Sequence, residues 1–332
     1  MNKQTDNKFG RRRFLARVAK AGVSIAVAGT VSYLLYDDKG PKAGVDSGDL
    51  VTLPDFSAPQ KDGQAMAVVK SSDRIKGVNK AIDLMGGIER FVQAGDIVVI
   101  KPNVAFASSP MLGATANPLL VAEVVRLCYN RGGAKKVYVT DNPINDPASC
   151  FMLSGIGKAA NEAGAEVILP RDNFFSHTTL KGGKLITDWP VFYWPLEKCN
   201  KLIGISPVKN HHRSGASMAM KNWYGLLGGR RNIFHQDINT IIAELAMLVK
   251  PTLVISDGSY SMMTNGPTGG SLADLKKTNT IIASCDMVAA DAYGCGLLGM
   301  KPSDLPYLEK AQKAGAGIIN YESLKPKFAE SA

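Results

Sequence analysis

The 332-residue sequence has few of the cysteine patterns that mark metal and iron–sulfur proteins. Its five cysteines are Cys128, Cys150, Cys199, Cys285 and Cys295, and no two of them are spaced as C-x-x-C. This argues against a zinc ribbon and against a ferredoxin-type iron–sulfur cluster held by this chain alone. We interpret most of these cysteines as small buried apolar residues.

Two nucleotide and hydrolase motifs are also missing. The sequence contains no G-x-x-x-x-G-K-[ST] phosphate loop and no G-x-S-x-G elbow, which argues against a nucleoside triphosphatase and a serine hydrolase. A Gly-Ile-Gly-Lys-Ala-Ala segment at 155–160 is similar to a dinucleotide fingerprint, but it does not directly follow a predicted strand. That fingerprint requires a strand, a turn and a helix in immediate succession, so we assign no dinucleotide site there.

The net charge of +10 is concentrated at one end of the chain. Of the 39 Lys/Arg and 29 Asp/Glu residues, nine and three lie within 1–43, which leaves 30 basic and 26 acidic residues. This near balance predicts no nucleic-acid partner. The composition, 45% hydrophobic and 20% charged, is that of an ordinary globular protein.

The basic N-terminus predicts an export signal over 1–43. The arginine pair at 11–12 precedes a spacer and Phe-Leu at 14–15, and a weakly apolar run follows at 18–36. This order is typical of a twin-arginine signal, so we expect the export machinery as a partner and a periplasmic or other location outside the cytoplasmic membrane. Residues 37–43 offer no clean cleavage site, which leaves an N-terminal membrane tether open. Because this route carries folded proteins, it also favours a bound metal or nucleotide cofactor.

Apolar runs alternate with helical patterns after a linker at 44–64. Strands are predicted at 67–70, 96–101, 136–140, 166–169, 201–206, 252–256 and 280–284. Helices are predicted at 75–92, 118–131, 150–163, 237–249 and 287–298. This alternation predicts one α/β domain over 65–325, with a doubly wound, mostly parallel sheet and helices on both faces. The aromatic and glycine-rich segment 171–196 predicts a small β insertion.

Polar residues follow five of these strands, and ligands of doubly wound sheets bind at the carboxyl ends of the strands. The segments are Lys-Pro-Asn at 101–103, Asp-Asn-Pro at 141–143, Lys-Asn-His-His at 209–212, Asp-Gly at 257–258 and Cys-Asp at 285–286. We therefore predict a ligand site at one edge of the sheet that includes Lys101, Asn103, Asp141 and Lys209. Asn142 and Asp286 are better explained as residues that end strands and cap helices.

The densest polar stretch is 206–236, which contains three of the four histidines, His211, His212 and His235. Histidine is the usual proton carrier at neutral pH and a frequent metal ligand. We predict His211, His212 and Lys221 as catalytic residues. The neighbouring polar residues predicted to bind an anionic ligand are Asn222, Arg230 and Arg231.

A second glycine-rich loop, Asn-Gly-Pro-Thr-Gly-Gly at 265–270, follows the strand that precedes Asp257. Either it closes over a ligand through the backbone of Gly269 and Gly270, or it is simply a long turn. If a metal is bound, the predicted ligands are His211, His235 and Asp257. The identity of the cofactor stays unassigned, with a metal or a nucleotide-derived metal cofactor as the candidates.

The segments at 99–103, 208–212, 220–225, 265–270 and 284–291 together resemble the domain-of-unknown-function 362 family over about 66–320. Members of that family often adjoin ferredoxin-like modules, so the resemblance implies an iron–sulfur redox partner. This chain has no such module of its own. The name of the family assigns no activity.

A second resemblance, to nickel-pincer lactate racemases, rests on the order and spacing of His211, Lys221 and His235. In that family a lysine carries a nicotinate-derived nucleotide, a downstream histidine ligates nickel, and histidines exchange the substrate proton. The resemblance implies a racemase- or isomerase-like reaction, although His177 in the predicted insertion is no secure match for the second acid/base histidine.

Three hypotheses follow for the polar cluster at the edge of the sheet. The first is an exported enzyme that binds a small anionic ligand or a metal-containing cofactor. The second is a non-catalytic protein that binds a ligand or docks a redox partner through the same edge. The third is a purely structural role, in which the histidines and the lysine satisfy buried carbonyl groups.

Overall fold

The computed structural model describes residues 50–59 and 64–331, together with the isolated positions Ala16 and Val18. The predicted export signal at 1–43 therefore lies outside the described residues, apart from those two positions. The described residues from 50 onward belong to one compact unit. None of the helices described is both long enough and apolar enough to cross a membrane.

The described chain alternates strands with helices. The strands are β1 (Met66–Ser71), β2 (Ile97–Pro102), β3 (Lys136–Thr140), β4 (Glu166–Ile168), β5 (Phe175–Thr178), β6 (Trp189–Phe192), β7 (Lys201–His211), β8 (Gly215–Ser217), β9 (Leu253–Met262), β10 (Leu275–Ser284) and β11 (Lys327–Ser331). The α-helices are α1 (Arg74–Leu84), α2 (Pro118–Asn130), α3 (Pro147–Leu153), α4 (Ile156–Glu162), α5 (Trp194–Glu197), α6 (Ala219–Asn222), α7 (Ile238–Leu248), α8 (Met287–Leu297) and α9 (Pro306–Lys313). Short 3-10 turns occupy several of the connections.

Nine of the described strands form one mixed sheet in the order β11-β1-β10-β9-β7-β2-β3-β4, with β8 paired to β7. The central strands β9, β7, β2, β3 and β4 are parallel neighbours, and β1 pairs in parallel with β11. This confirms the mostly parallel α/β fold. The small β insertion is also confirmed, since β5 and β6 form a separate antiparallel pair.

Strand β10 runs antiparallel to both of its neighbours, β1 and β9. Its carboxyl end, followed by Cys285 and Asp286, therefore lies at the opposite edge of the sheet from the carboxyl ends of β2, β3, β7 and β9. The expectation that all five predicted strands end at one edge is wrong for this strand. Asp286 instead caps α8, as predicted, by accepting hydrogen bonds from Val288 N (2.8 Å) and Ala289 N (2.9 Å).

Both faces of the sheet are covered by helices, because each face carries its own buried apolar cluster. One cluster joins α1 and α2 to residues such as Ile203 and Ile255, and the other joins α7, α8 and α9 to residues such as Leu202 and Val254. Adjacent residues of β7 and β9 thus point to opposite clusters, as the two-residue repeat of a strand requires. The sheet is doubly wound, and its strand ends remain free to form a site.

Candidate functional site

A cavity of about 670 Å³, the first cavity, opens at the carboxyl ends of β2, β3 and β7. Its walls come from the residues that follow β2 and β3, from the end of β7, from α6 and the turn after it, and from the loop 265–269. The predicted site residues that line it are Asn103, Asp141, Lys209, His211, His212, Lys221, Asn222, Arg231, His235 and Gly269. Side chains separated by more than 130 positions in the sequence therefore meet in one place.

An ion pair lies beneath this cavity. Lys101 Nζ is 2.6 Å from Asp141 Oδ1, and both side chains are almost fully buried. Asp141 Oδ2 also accepts a hydrogen bond from Val104 N (2.7 Å), which fixes the carboxylate. Burial lowers the pKa of Lys101, while the charge of Asp141 acts in the opposite direction. Lys101 is thus held in place by Asp141 rather than presented to the cavity.

Gly225 makes this ion pair sterically feasible, although sequence reasoning did not single it out. A Cβ atom at this position would lie 2.0 Å from Asp141 Oδ1 and 2.7 Å from Lys101 Nζ. Both distances are far below any contact distance, so only glycine fits without displacing the ion pair. The signal was present in the Lys-Asn-Trp-Tyr-Gly segment at 221–225, but the sequence does not show what the glycine faces.

The amide of Asn222 connects three elements under the cavity floor. Its Oδ1 accepts hydrogen bonds from Lys101 Nζ (3.3 Å) and Asn103 Nδ2 (3.4 Å). Its Nδ2 donates to the backbone oxygens of Lys101 (3.1 Å) and Ile205 (3.2 Å). The Asn222 amide therefore accepts two hydrogen bonds and donates two, and it holds α6 against β2 and β7.

Lys209, at the end of β7, is buried and has only neutral partners. Its ammonium donates to Ala114 O (2.5 Å) and Asn103 Oδ1 (3.2 Å) and lies 5.3 Å from the centroid of the Phe106 ring. Burial, followed by the nearby charge of Lys221, lowers the pKa of Lys209 to about 7. A bound anion would restore its charged form.

Lys221 projects from α6 into the same cavity. Its ammonium lies 4.8 Å from the centroid of the Tyr224 ring, and no carboxylate among the described residues pairs with it. Burial, with a further contribution from Arg231, lowers the pKa of Lys221 to about 8. The helix that carries it is held by buried Asp291, whose carboxylate oxygens accept from Ala219 N (2.8 Å) and Met220 N (3.2 Å).

His211 presents a fixed N–H group. Its Nδ1 accepts hydrogen bonds from the backbone nitrogens of Arg213 (3.2 Å) and Ser214 (3.3 Å), which places the proton of the neutral ring on Nε2. Burial, and then the charge of Lys221, lowers the pKa of His211 to about 2. The ring is therefore a neutral hydrogen-bond donor at any physiological pH.

His235 presents the opposite form. The hydroxyl of Tyr224 donates to Arg231 O (2.5 Å), so the contact of 3.2 Å between Tyr224 Oη and His235 Nδ1 requires the proton on Nδ1. The Nε2 atom of neutral His235 is then a free proton acceptor. Burial and the charge of Lys221 lower the pKa of His235, so the ring is neutral in the empty cavity.

The three clustered histidines form a stack, in which His211 lies between His212 and His235. The ring centroids are 5.0 Å apart for the first pair and 6.2 Å apart for the second. His212 is exposed at the rim, where its Nδ1 lies 3.3 Å from Gly266 O and therefore donates to it. The structure thus places the predicted histidines together, with His211 and His235 deeper than His212.

The guanidinium of Arg231 donates hydrogen bonds to backbone carbonyl groups. Its Nη1 donates to the carbonyl oxygens of Tyr224 (3.2 Å) and Leu227 (3.0 Å), and its Nη2 donates to those of Asn142 (2.8 Å) and Pro143 (2.7 Å). These four contacts fix the turn after α6 against the loop after β3, so the guanidinium contributes charge to the cavity without a free terminal donor. Arg230 is exposed and does not line the cavity.

The loop 265–270 closes one side of the cavity. At Gly266 a Cβ atom would lie 1.8 Å from Asn210 O, so this backbone approach to β7 requires glycine. Gly269 lines the cavity, whereas Gly270 does not. The loop is anchored at its base by Asp274, whose Oδ1 accepts from Thr264 Oγ1 (2.8 Å) and Asn265 Nδ2 (2.6 Å).

Asp257 is not brought together with the histidines. It lines a second cavity of about 450 Å³, whose other residues include Arg74, Thr115, Pro207 and Tyr260. There Asp257 Oδ2 is 2.6 Å from Arg74 Nε. The predicted metal set of His211, His235 and Asp257 is therefore not assembled, and within the described part of the chain no three His, Cys, Asp or Glu side chains are grouped to hold a metal ion.

The first cavity has more positive charge than its own acid can balance. Three basic side chains line it, Lys209, Lys221 and Arg231, and Lys101 lies beneath it, whereas Asp141 is its single lining carboxylate. The lowered pKa values of Lys209 and Lys221 are the direct consequence of this excess together with burial. A small anion is the ligand class that such a cavity favours.

The model of the family described as "Domain of unknown function (DUF362)" matches residues 98–296, more than half of the chain. A thylakoid-associated protein from Synechocystis sp. is 26% identical over 247 residues, which cover 70% of this chain and 73% of that protein.

Two solved structures are similar at 13% identity. The lactate racemase apoprotein from Thermoanaerobacterium thermosaccharolyticum has a TM-score of 0.38, with 74% of this chain and 58% of that chain covered. A protein from Thermotoga maritima has a TM-score of 0.37, with 69% and 59% covered. The present chain thus spans less than two thirds of either of these two structures.

Proposed function

This chain belongs to the family described as "Domain of unknown function (DUF362)", and from its first cavity we propose that it is an enzyme acting on a small anionic molecule. The ammonium groups of Lys209 and Lys221 bind the anionic group. His235 and His211 then carry out proton transfer and hydrogen bonding at the neighbouring atoms. This proposal rests on two neutral imidazoles in one cavity, one with a proton on Nε2 (His211) and one with a lone pair on Nε2 (His235). The same cavity contains two lysines without a carboxylate partner among the described residues.

The two histidines divide the work of removing a proton next to a carbonyl or carboxylate group. The Nε2 lone pair of His235 accepts the proton, and the electron pair moves onto the substrate oxygen. The Nε2–H of His211 donates a hydrogen bond to that oxygen, and a pKa of about 2 means that the donor is the neutral ring rather than an imidazolium. Transfer of the proton from His235 to the neighbouring carbon completes an isomerisation.

The lowered pKa of His235 is caused first by burial and then by the charge of Lys221. Lys221 disfavours the imidazolium form of His235, and an anion bound to Lys221 cancels part of that charge. The bound substrate therefore raises the proton affinity of the base that acts on it. Substrate binding and proton transfer are coupled through this lysine.

Deuterium exchange tests this proposal directly. The full chain is incubated in D₂O with lactate, malate and pyruvate as probes, and NMR follows loss of the proton next to the carboxyl or carbonyl carbon. We expect exchange with the unaltered chain, binding without exchange in His235→Gln, and loss of both in Lys221→Met. Arg230→Met is the matched control, because this cationic side chain lies outside the cavity.

Two outcomes would count against the enzyme. Binding of these anions without exchange in the unaltered chain would favour the alternative, a non-catalytic ligand-binding or redox-partner protein. Unchanged binding of these anions in Lys221→Met would show that they do not bind in the first cavity.

A second candidate is a covalently attached, metal-containing cofactor at Lys221. The specific observation is that this lysine has no carboxylate partner and a pKa of about 8, which leaves part of it as the reactive free amine. Because the described residues offer no set of three protein ligands, such a group would have to bring donors of its own. Intact-mass and metal analysis of the exported protein tests this: added mass on Lys221 supports the idea, and an unmodified, metal-free active protein contradicts it.

We also propose that the folded chain is exported through the twin-arginine route. The arginine pair at 11–12 and the apolar run at 18–36 support this, and the Synechocystis relative carries a name that associates it with a membrane. In cell fractionation we expect the chain outside the cytoplasm, and the double variant Arg11→Lys, Arg12→Lys inside it. An identical distribution of the two would contradict the proposal.

A further inference from the structure

The second cavity lies at the same edge of the sheet as the first, beside β9 and at the N-terminal ends of α1 and α2. Arg74 is the first residue of α1, and Asn117 caps α2. Pro207 of β7 and Asp257 of β9 contribute the strand side of the wall. Its volume of about 450 Å³ is large enough for a small organic ligand.

The polar groups of this cavity offer donors. Arg74 uses its Nε for Asp257 Oδ2, which leaves its two terminal amino groups without a partner among the described residues. Each carboxylate oxygen of Asp257 already accepts one hydrogen bond, since Oδ1 accepts from Ser259 N (2.9 Å), and the side chain is only 5% exposed. A ligand therefore meets guanidinium donors rather than free carboxylate acceptors.

Thr115 supplies an independent indication of a missing partner. Its side chain is only 3% exposed, and its hydroxyl has no hydrogen-bond partner within the described ranges. A buried hydroxyl without a partner costs free energy, so such groups normally pair with the protein, with water or with a ligand. Because Thr115 lines the second cavity, a molecule placed there can satisfy it.

The mouth of the cavity is apolar. Met111, Leu272 and Tyr260 line it and are 67%, 57% and 47% exposed, respectively. Large apolar side chains grouped at a concave surface are typical of ligand sites. The first cavity has no comparable group of exposed apolar residues among those described.

We propose that the second cavity is a separate binding site for a small carboxylate with an apolar body. The carboxylate binds the terminal amino groups of Arg74 and accepts a hydrogen bond from Thr115. The apolar body lies against Met111, Tyr260 and Leu272. Asp257 balances the charge of Arg74, and the carboxylate of Asp73 caps α1. The N-terminal end of α2, capped by the neutral side chain of Asn117, therefore favours one further negative charge there.

Octanoate is the probe for this site, and octylammonium is its matched control, with the same chain length and a head that only donates hydrogen bonds. The full chain is labelled with ¹³C-methyl methionine and titrated by NMR. Met111 reports on the second cavity, and Met262, which lies beside Gly269, reports on the wall of the first. The variant Met111→Leu assigns the first signal.

We expect octanoate to shift the Met111 signal and to bind at least tenfold more tightly than octylammonium. Arg74→Met and the nearly isosteric Thr115→Val should each weaken octanoate binding several-fold. Arg126→Met is the control, because that arginine pairs with Glu123 within α2 and lines neither cavity.

Three results would overturn the proposal. Equal affinity for octanoate and octylammonium would show an apolar surface with no carboxylate site. Octanoate binding that is unaffected by both Arg74→Met and Thr115→Val would place the ligand elsewhere. Loss of octanoate binding in Lys221→Met alone would show that octanoate binds in the first cavity. The deuterium-exchange test uses different ligands, so either proposal can fail without the other.

Discussion

The two cavities lie side by side at the carboxyl ends of the strands, but they differ in whether their basic side chains are paired with a carboxylate. In the first, Lys209 and Lys221 have no carboxylate partner in the part of the chain that the structure describes, and their pKa values fall to about 7 and about 8. In the second, the one guanidinium is paired with Asp257 at 2.6 Å. The first cavity therefore lacks a negative charge for its lysines, whereas in the second the guanidinium is already balanced and the ligand supplies hydrogen-bond acceptors to Arg74 and Thr115 and apolar contact.

This difference shows how a fold can hold a reactive site. Burying an ammonium group without a counter-ion costs free energy, and the protein reduces that cost by lowering the pKa rather than by adding an acid. The single acid of the first cavity, Asp141, is used for Lys101 and not for the two lysines that face the ligand space. The site thus stays electrostatically incomplete until an anion binds.

The largest expected effect comes from breaking the ion pair under the first cavity. Gly225→Ala places a Cβ atom 2.0 Å from Asp141 Oδ1 and forces Lys101 and Asp141 apart. Loss of a buried ion pair leaves charges without partners, so we expect the free energy of unfolding to fall by about 3–5 kcal/mol. Urea unfolding monitored by tryptophan fluorescence measures it.

Gly296→Ala is the matched control for that variant. A Cβ atom at position 296 meets nothing within 4 Å, and the residue lies in α8, so alanine should leave stability unchanged or raise it by up to about 1 kcal/mol. Equal stability of the two alanine variants would mean that the Lys101–Asp141 pair contributes little.

Ligand binding in the two cavities should differ in the number of protons that the protein takes up. At pH 7.5, Lys209 and Lys221, with pKa values of about 7 and about 8, together lack about one proton. An anion favours the charged form and raises both pKa values, so lactate binding should take up about one proton from the buffer. Calorimetry in Tris and in HEPES measures the uptake from the difference in apparent enthalpy.

Octanoate provides the contrast. The second cavity offers its ligand a guanidinium and a hydroxyl rather than a buried ammonium group, so octanoate binding there should take up no proton at pH 7.5. Proton uptake of the same size for both ligands would erase the proposed difference between the cavities.

The position of the first cavity could be predicted from the sequence, because its signals are local. Lys209, His211 and Lys221 lie close together in the sequence after an apolar strand, and the end of such a strand is where parallel sheets bind ligands. The roles within the cavity could not be predicted. Arg231 looks like an anion-binding residue in the sequence, but its terminal donors are taken by four carbonyl oxygens, two from the turn before it and two from the distant loop after β3.

The direction of β10 and the place of Asp257 were missed for different reasons. No α-helix lies between β9 and β10, and parallel neighbours usually need a crossover helix, so the sequence did carry a signal for antiparallel pairing. For Asp257, the predicted strand ended at residue 256, whereas β9 continues to Met262. Asp257 therefore follows Leu253 and Ile255 onto the face of the sheet covered by α1, where it meets Arg74.

A smaller effect is expected from the ion pair of the second cavity. Asp257→Asn removes the negative charge opposite Arg74, but the arginine side chain is 20% exposed and water can solvate it. We expect a loss of about 1–2 kcal/mol, well below that of Gly225→Ala. Urea unfolding under the same conditions compares Asp257→Asn with Gly225→Ala. An equally large loss in the two variants would mean that the Arg74–Asp257 pair contributes as much to stability as the Lys101–Asp141 pair.

The smallest effect is expected at Thr115, where the protein itself offers the hydroxyl no partner. Thr115→Val keeps the shape of the side chain and removes a buried polar atom, so the free energy of unfolding should stay the same or rise by up to about 1 kcal/mol in the ligand-free protein. Octanoate binding should weaken in the same variant. This opposite response of stability and binding distinguishes a hydroxyl kept for a ligand from one kept for the fold, because a structural hydroxyl would lower both when removed.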